Sequence, residues 1–506
     1  MVLTGIIVIA AAQLCFFYAS GLTQIYGDAV AHMEGARRLT DSLTPGYWEI
    51  GSAWLPLFHI LAAPLALNKF LWSSGLAGSL VSAASYSITA WFLFRLSLGM
   101  NRNLAAGAVA LAAFLFCPTM AYLGSVPLTE ALTLMWAVLT VYALFRFQEE
   151  GRLRAVIAAG IAAFFGTLTR YDGWYLLPFA AVFAFFASGE SWRSRFRHAA
   201  VFSAIAGAGP VLWLIHNAAR FGNAIEFYNG PYSAKAVYAH QLATTGFRYP
   251  TDGSVLISAR YYLADLLLVI GFWPLALAVL GLMVWAADRS ERARRSAALL
   301  LLVPFVFYVQ SMAHAAVPIY IPPLFPFTYY NLRYGVEMLP AVAVFPSFLL
   351  SSRFPAVARA VLLALVLCAI LGQDVSFLTR GAADLPVVQE GIHNNPCRSR
   401  KQQAAIEFLR GRYDGRMMVA AAGKWPCLMP ALGIPFRQTI SETNRKYWKQ
   451  LRYGPDPAVG WIVRGDGDVV DDLMRAYPQA FRGFDLLEHE QIPGEGSVAI
   501  YRRHRR

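Results

Sequence analysis

The chain has 506 residues, of which 57% are hydrophobic and only 14% are charged, and its mean hydropathy is +0.46. Soluble globular proteins carry roughly 25% charged residues, so this composition excludes a soluble protein and indicates an integral membrane protein. The formal net charge of +13 does not require a nucleic-acid partner, because Lys and Arg collect in the cytoplasmic loops of helical membrane proteins.

Eleven apolar runs are candidates to cross a bilayer, which takes about 20 apolar residues in a helix. They cover residues 3–20, 76–96, 104–122, 128–146, 155–168, 173–188, 199–217, 259–286, 297–314, 333–351 and 355–372. The first has no basic start and no clear cleavage site before Gly21, so we interpret it as a retained transmembrane helix. A further run, 53–67, is interrupted by Pro56 and Pro64 and could either cross or lie at the interface.

Clusters of arginine between these runs decide the topology. They share one side of the membrane only if residues 53–67 do not cross, and the positive-inside rule makes that side the cytoplasm. The clusters are Arg95 and Arg102; Arg146, Arg152 and Arg154; Arg193, Arg195 and Arg197; and Arg289, Arg292, Arg294 and Arg295. The prediction is a polytopic α-helical membrane protein of about eleven transmembrane helices, with its N-terminus in the cytoplasm and residues 20–75 as a large external loop. A bacterial inner membrane fits the short loops and the arginine-rich composition.

After this transmembrane domain, placed at 1–375, residues 380–506 change character. They are charged, lack spanning runs, and alternate strand-like and helix-like stretches, which predicts a small extracytoplasmic (periplasmic) α/β domain. The strand-like stretches are MMVAAA, GWIVR, FDLLEHEQI and SVAIYRR, and the helix-like ones are SRKQQAAIEFLRGR and DVVDDLMRAYP. Cys397 and Cys427 lie here without metal-site spacing. In a periplasmic domain they could form a disulfide, and otherwise they are unpaired bystanders.

Ionisable residues near the external ends of the predicted spans are candidates for function, because charge at membrane depth is costly. They share one face, which favours a site open to the exterior over a proton relay through the midplane. The set is Asp28, His32, Glu34, Glu130, Arg170, Asp172, His216, Arg220, Lys235, His314, Arg333 and Glu337.

The stretch YGDAVAHMEG follows the first span directly. By spacing alone, Asp28 is most simply the N-cap of a helix. His32 lies four residues further on and shares its helix face, whereas Glu34 points elsewhere and is expected to be solvated.

Two further external segments combine acidic and basic side chains. Glu130, in SVPLTEALTLMW, is explained equally well by the helix dipole or by function. In LTRYDGWYLLP, Arg170 and Asp172, which flank Tyr171, could simply neutralise each other, or Arg170 could bind a phosphate with its planar donor fork. Arg333 has a similar position. Two arginines on the side where positive charge is disfavoured indicate an anionic partner.

The loop FYNGPYSAKAVYAHQ, residues 227–241, contributes Lys235 among aromatic and amide side chains. This composition suits carbohydrate recognition, but it equally suits an ordinary belt of interfacial tyrosines.

The combined pattern resembles the GT-C superfamily of polytopic glycosyltransferases that use polyprenyl-phosphate-linked sugars. The branch it resembles most includes aminoarabinose transferases and protein O-mannosyltransferases. In that branch a catalytic acid stands near the start of the first external loop, which carries two juxtamembrane helices. Asp28 takes that position here, and residues 53–67 correspond to the second juxtamembrane helix. The loop has Gly-Asp-Ala instead of an Asp-Glu pair, which leaves the subfamily open.

Three more motifs carry the resemblance. They are Thr129-Glu130-Ala131 for the second acid, Leu168-Thr169-Arg170 for a short basic turn, and Arg333-Tyr334 with Leu339-Pro340 at the entry to a span. The resemblance covers residues 1–370 in architecture and suggests no family for the C-terminal domain.

The resemblance implies transfer of a sugar from the lipid phosphate to a hydroxyl of a lipid, glycan or protein acceptor, with inversion at the anomeric carbon. Asp28 would act as the base, and Glu130 would orient the acceptor or the sugar, or bind His32 or a metal. His32, Arg170, Tyr171, Asp172, Lys235, Arg333 and Tyr334 are the substrate-binding candidates. No obligatory metal is expected, because arginines can supply the positive charge, although a divalent cation is left open. The alternatives are a transporter or flippase of lipid-linked glycans, a glycan polymerase, and a non-catalytic membrane scaffold.

Overall fold

The computed structural model describes residues 1–187, 191–350 and 355–504. The last positions of the predicted spans 173–188 and 333–351, and of the predicted C-terminal domain, lie outside the described residues. The chain forms two compact units. The first contains Met1–Leu22, Ser52–Phe58 and Ser79–His393, and the second contains Thr23–Gly51, His59–Gly78 and Asn394–Arg506.

Helices dominate the chain up to the last predicted span. They are α1 (Val2–Ala19), α2 (Gly27–Arg38), α3 (Leu57–Ala66), α4 (Lys69–Ser73), α5 (Leu76–Asn101), α6 (Leu104–Leu115), α7 (Pro118–Leu123), α8 (Glu130–Glu150), α9 (Leu153–Thr167), α10 (Asp172–Ala187), α11 (Trp192–Phe221), α12 (Glu226–Asn229), α13 (Ala234–Thr245), α14 (Val255–Val269), α15 (Phe272–Ala287), α16 (Val303–Ala313), α17 (Leu339–Val344) and α18 (Ala356–Leu378). The principal 3-10 segments are Tyr47–Glu49, Ser296–Leu302, Leu332–Met338 and Phe345–Leu350.

Within the described residues, six helical segments are long and apolar enough to cross a membrane. They are Val2–Ala19, Leu76–Asn101, Glu130–Glu150, Trp192–Phe221, Ser296–Ala313 and Ala356–Leu378. Shorter apolar helices, including α6, α9 and α10, occupy other predicted runs. The membrane-protein class therefore agrees with the fold, and the count of eleven spans stays a prediction.

The run 259–286, expected as one span, is broken into α14 and α15, whose axes differ by 117°. The break falls at Gly271, which has a φ of 99°. A Cβ at this glycine would lie 2.6 Å from the side chain of Gln373, so a larger residue would have neither the backbone conformation nor the space. Pro274 then follows in the first turn of α15, where its missing N–H costs nothing.

The second unit contains a five-stranded sheet made of β1 (Met417–Ala420), β2 (Thr439–Ile440), β3 (Val459–Gly465), β4 (Phe484–Ile492) and β5 (Gly496–Arg503), in the order β2-β1-β3-β5-β4. β1 runs parallel to β2 and β3, whereas β5 is antiparallel to β3 and β4. The chain's remaining helices are α19 (Pro386–His393), α20 (Arg400–Leu409), α21 (Leu428–Leu432), α22 (Arg445–Gln450) and α23 (Val469–Ala476). The four predicted strands and two predicted helices are confirmed. Strand β2 was not predicted, because two residues are too short to show a period.

A disulfide joins Cys397 to Cys427, with 5.5 Å between their Cα atoms, so the first of the two alternatives for these cysteines is confirmed. Residues 380–393 belong to the first unit, while most of the predicted external loop, at 23–51 and 59–78, belongs to the second. The loop and the sheet therefore share one compact unit.

Replacing both cysteines by serine is expected to destabilise the second unit by about 3 kcal/mol, because the bond closes a 30-residue loop. Limited trypsin digestion should then cleave faster between residues 394 and 504, with the fragments identified by mass spectrometry. Cys368→Ser, at an exposed free cysteine, is the control. Equal cleavage rates for the double variant and the wild type would contradict the expectation.

Candidate active site

Glu130 is the first residue of α8, and only 1% of its surface is exposed. Its Oε1 accepts a hydrogen bond from Arg170 Nη1 at 3.0 Å and lies 3.3 Å from Arg333 Nε. A buried carboxylate is expensive unless it is paired, and here one carboxylate joins two arginines that are far apart in sequence. Thr129, the N-cap residue, makes no side-chain capping bond. Glu130 therefore pairs with the two arginines, and at the start of α8 it also interacts favourably with the helix dipole.

Arg170 lies in the turn between α9 and α10, and Asp172 begins α10. Arg170 Nε is 3.4 Å from Asp172 Oδ2, so the local neutralisation considered for this turn exists beside the pair with Glu130. The Tyr308 hydroxyl connects the two residues: it accepts from Arg170 Nη2 at 2.9 Å and donates to Asp172 Oδ2 at 3.2 Å. Arg170 is therefore held from several directions in one orientation.

Stacked tyrosines support both guanidinium groups. The Arg170 and Arg333 guanidinium carbons lie 4.5 and 5.2 Å from the ring centroid of Tyr334. Tyr308 stacks on Tyr334 and Tyr262 stacks on Tyr308, each with 5.3 Å between ring centroids. Cation–π contacts strengthen where water is excluded, so the stack stabilises two positive charges in a buried place.

Two buried carboxylate oxygens at this cluster, Glu130 Oε2 and Glu337 Oε1, have no hydrogen-bond partner among the described residues. Buried polar atoms of this kind normally bind water or another group. A cavity of about 40 Å³ is bordered by Glu337 and Asp172 and otherwise mostly by apolar side chains such as Leu176 and Leu301. It has room for one or two waters, so a small polar species can reach Glu337 and Asp172.

The backbone that carries Arg333 is held by further groups. The carboxylate of Glu390, on α19, accepts from the backbone N–H of Asn331 at 2.6 Å and from that of Leu332 at 2.9 Å. Asp265, on α14, lies so close to Gly335 that a Cβ there would be 2.8 Å from Asp265 Oδ2. The glycine thus admits the close approach of the aspartate. We infer that these contacts fix the backbone around Arg333 and therefore the direction of its side chain.

Two other predicted substrate-binding residues, Tyr171 and Lys235, make contacts that do not involve these ion pairs. The Tyr171 hydroxyl donates to the Ala53 carbonyl at 2.9 Å and accepts from Trp213 Nε1 at 3.1 Å, while its ring stacks on Phe227. Lys235 is exposed on α13, with Nζ 5.5 Å from the ring centroid of Tyr228. The structure thus brings together Glu130, Arg170, Asp172, Arg333 and Tyr334 of the predicted set.

Asp28 and His32 lie on α2 in the second unit. The expectation that Asp28 is an N-cap is wrong, since the helix begins at Gly27 with Tyr26 as N-cap and Asp28 in the first turn. His32 Nδ1 lies 3.0 Å from Nε2 of His59, on α3, and both rings are buried. This pair ties α2 to α3.

Glu34 was expected to be solvated, and this is wrong, because only 5% of its surface is exposed. Burial raises the pKa of Glu34 to about 8, the charge of Arg38 opposes this shift, and Glu442 adds to it. The expectation failed because the face of α2 that carries Glu34 also packs within the unit, which helical periodicity alone does not reveal.

Four residues of this site were not predicted from the sequence: Tyr262, Tyr308, Asp265 and Glu390. Asp265 had a usable signal, since it is a lone carboxylate within an apolar run. Tyrosines in apolar spans are too common to stand out, and Glu390 lies beyond the last span, where acidic residues are ordinary.

The chain matches a known family model over part of its length and solved structures over nearly all of it. Residues 58–214 match the family model described as dolichyl-phosphate-mannose-protein mannosyltransferase. The fold is similar to that of ArnT from Cupriavidus metallidurans in the apo state, with a TM-score of 0.55 and 14% identity over 99% of this chain and 98% of that one. The same protein bound to undecaprenyl phosphate matches with a TM-score of 0.54 and 15% identity over 98% of each chain. No curated protein sequence matches. The resemblance expected from the sequence is confirmed.

The raised pKa of Glu34 predicts a pH dependence of stability. The folded protein keeps a proton that the unfolded chain releases above its usual value of 4.5, so the free energy of unfolding should fall as pH rises from 4.5 to about 8. The slope is about 1.4 kcal/mol per pH unit for one proton. Glu34→Gln, which imitates the protonated form, should lose this slope in thermal melts. Glu490→Gln, on an exposed strand position, should keep it, and an unchanged slope in Glu34→Gln would contradict the assignment.

Glu390→Gln is expected to destabilise the first unit by about 1–3 kcal/mol, because the amide can accept only one of the two backbone hydrogen bonds and leaves a buried N–H unsatisfied. The measurement is the denaturation midpoint in detergent. Glu149→Gln, at an exposed position near the end of α8, is the control and should melt like wild type. Identical midpoints for all three proteins would show that the carboxylate does not hold this segment.

Proposed function

We propose that this protein is a membrane glycosyltransferase that moves a sugar from a polyprenyl-phosphate-linked donor to an acceptor hydroxyl on the extracytoplasmic face. The observation that carries the proposal is the buried pairing of Arg170 and Arg333 on Glu130, in a chain with the ArnT fold. ArnT from Cupriavidus metallidurans is known in a structure with undecaprenyl phosphate, which supports a lipid-phosphate donor here.

In this proposal, Arg170 and Arg333 bind the donor phosphate and stabilise the charge that it gains as leaving group. Their environment suits this task because most of the surrounding surface is buried: the side chains are 15% and 6% exposed. Fixed donors in a site with little water stabilise developing charge more strongly than donors in water do. Arginine also matches the geometry of a phosphate better than lysine does.

Asp28 is proposed as the general base. It takes the proton of the acceptor hydroxyl while that oxygen forms a bond to the anomeric carbon of the donor sugar. The bond from this carbon to the phosphate oxygen breaks in the same step, its electron pair leaves with the lipid phosphate, and the anomeric configuration inverts. Glu130 would orient acceptor or sugar through its position beside the arginines. We propose no obligatory metal, since the two guanidinium groups supply positive charge at the leaving group.

The proposal predicts separate effects for Asp28→Asn and Arg333→Ala in an assay of the purified protein with polyprenyl-phosphate sugars. Asp28→Asn should lower kcat by about 10²-fold or more, because general-base catalysis contributes about that much, and should leave binding of undecaprenyl phosphate unchanged. Arg333→Ala should weaken that binding as well. Asp384→Asn and Arg260→Ala, at exposed positions, are the matched controls and should behave like wild type.

The outcomes discriminate between the parts of the proposal. Retained transfer by Asp28→Asn would refute the assignment of the base but not the donor class. Sugar transfer without consumption of the lipid-linked donor would refute the class. Movement of the intact lipid-linked sugar across a vesicle membrane, without transfer, would identify a flippase.

A further inference from the structure

A groove of about 580 Å³ lies between α5, α8 and α9, and on α8 it extends from Trp136 to Glu150. Four alanines line it, at positions 143, 155, 158 and 162, and we call this row the alanine floor. Aromatic side chains line it at Phe92, Trp136 and Tyr142. Phe92 and Tyr142 contact each other edge to face, with 5.0 Å between centroids. The groove therefore exists because small residues on two neighbouring helices leave a trough that the flanking rings do not fill.

One end of this apolar groove is strongly basic. Arg146, Glu150 and Arg154 line it directly, and Arg152 lies 3.6 Å from the same Glu150 carboxylate. Three guanidinium groups thus share one carboxylate, which leaves a local charge of about +2. Arg95 adds a fourth cation, since its Nη2 is 3.5 Å from the Tyr142 hydroxyl, which also lies 3.4 Å from Arg146 Nη1.

The dimensions and charges fit one kind of ligand. A volume of 580 Å³ lies in the usual range for small-molecule sites. Basic pockets between transmembrane helices on the cytoplasmic side favour anionic lipid headgroups, and the arginine distribution predicts that this side is cytoplasmic. We propose that the groove binds an anionic phospholipid, with its phosphate between Arg146 and Arg154 and one acyl chain along the alanine floor.

This site is distinct from the candidate active site. Arg146 follows Glu130 by 16 residues on the continuous helix α8, so the two lie about 24 Å apart along the helix axis. The groove takes no residue from the ion pairs around Glu130. The headgroup of its occupant therefore contacts the same helix at the opposite end, and a failure of the lipid proposal would leave the proposed glycosyltransferase function untouched.

Native mass spectrometry of the full-length protein in detergent tests the proposal, with phosphatidylglycerol and phosphatidylcholine of equal acyl chains as probes. Wild type should bind one phosphatidylglycerol more tightly than phosphatidylcholine. Arg146→Gln/Arg154→Gln should weaken phosphatidylglycerol binding roughly thirtyfold, as expected for two arginines facing an anionic headgroup. Ala158→Phe, at an exposed position on the floor, should weaken it too, because the ring blocks the acyl chain while every charge remains.

Arg193→Gln/Arg197→Gln is the matched control, since it removes two exposed arginines at the start of α11 and should leave phosphatidylglycerol binding unchanged. An equal loss of phosphatidylglycerol binding in this control would show that the effect comes from general surface charge, and this would overturn the proposal. Equal binding of the two lipids by wild type would also overturn it. If inorganic phosphate displaces phosphatidylglycerol at similar concentration and Ala158→Phe has no effect, the site binds free anions and not a lipid.

Discussion

The buried carboxylate of Glu130, shared by Arg170 and Arg333, is the interaction around which the first unit is organised. Each of the three charges would be costly alone in a segment with so little water, and the desolvation penalty is offset only when all of them are in place. The start of α8, the turn before α10 and the 3-10 segment before α17 must therefore come together with their side chains correctly aimed.

A second layer of contacts keeps these charges in position. Tyr308 touches both Arg170 and Asp172, and its ring lies between those of Tyr262 and Tyr334. Glu390 holds the backbone just before Arg333. Preorganised groups of this kind need little rearrangement when charge develops nearby, and the proposed role of the two arginines at a phosphate leaving group depends on that property.

The second unit shows a different principle. Its sheet, its disulfide and the loop helices α2 and α4 form one compact body. The loop segments are too short to build a core of their own, so they complete one with the C-terminal segment: Trp72, on α4, packs edge to face on Phe436. The predicted border near residue 380 followed a change in composition. The observed border at 394 follows contacts, and composition does not record which distant segments share a core.

Hydropathy, periodicity and the cost of misplaced charge are local properties. The sequence by itself therefore determined the membrane class, most helix positions, the four longer strands, and the candidacy of Glu130, Arg170 and Arg333 as site residues. Only the tertiary structure decided that Arg170 and Arg333 meet on one carboxylate, that Tyr171 and Lys235 have other contacts, and that Glu34 is buried. Those outcomes depend on which helix faces pack together. The break at Gly271 combines a local and a tertiary cause. The glycine is visible in the sequence, but the close approach of Gln373 is decided by the tertiary structure.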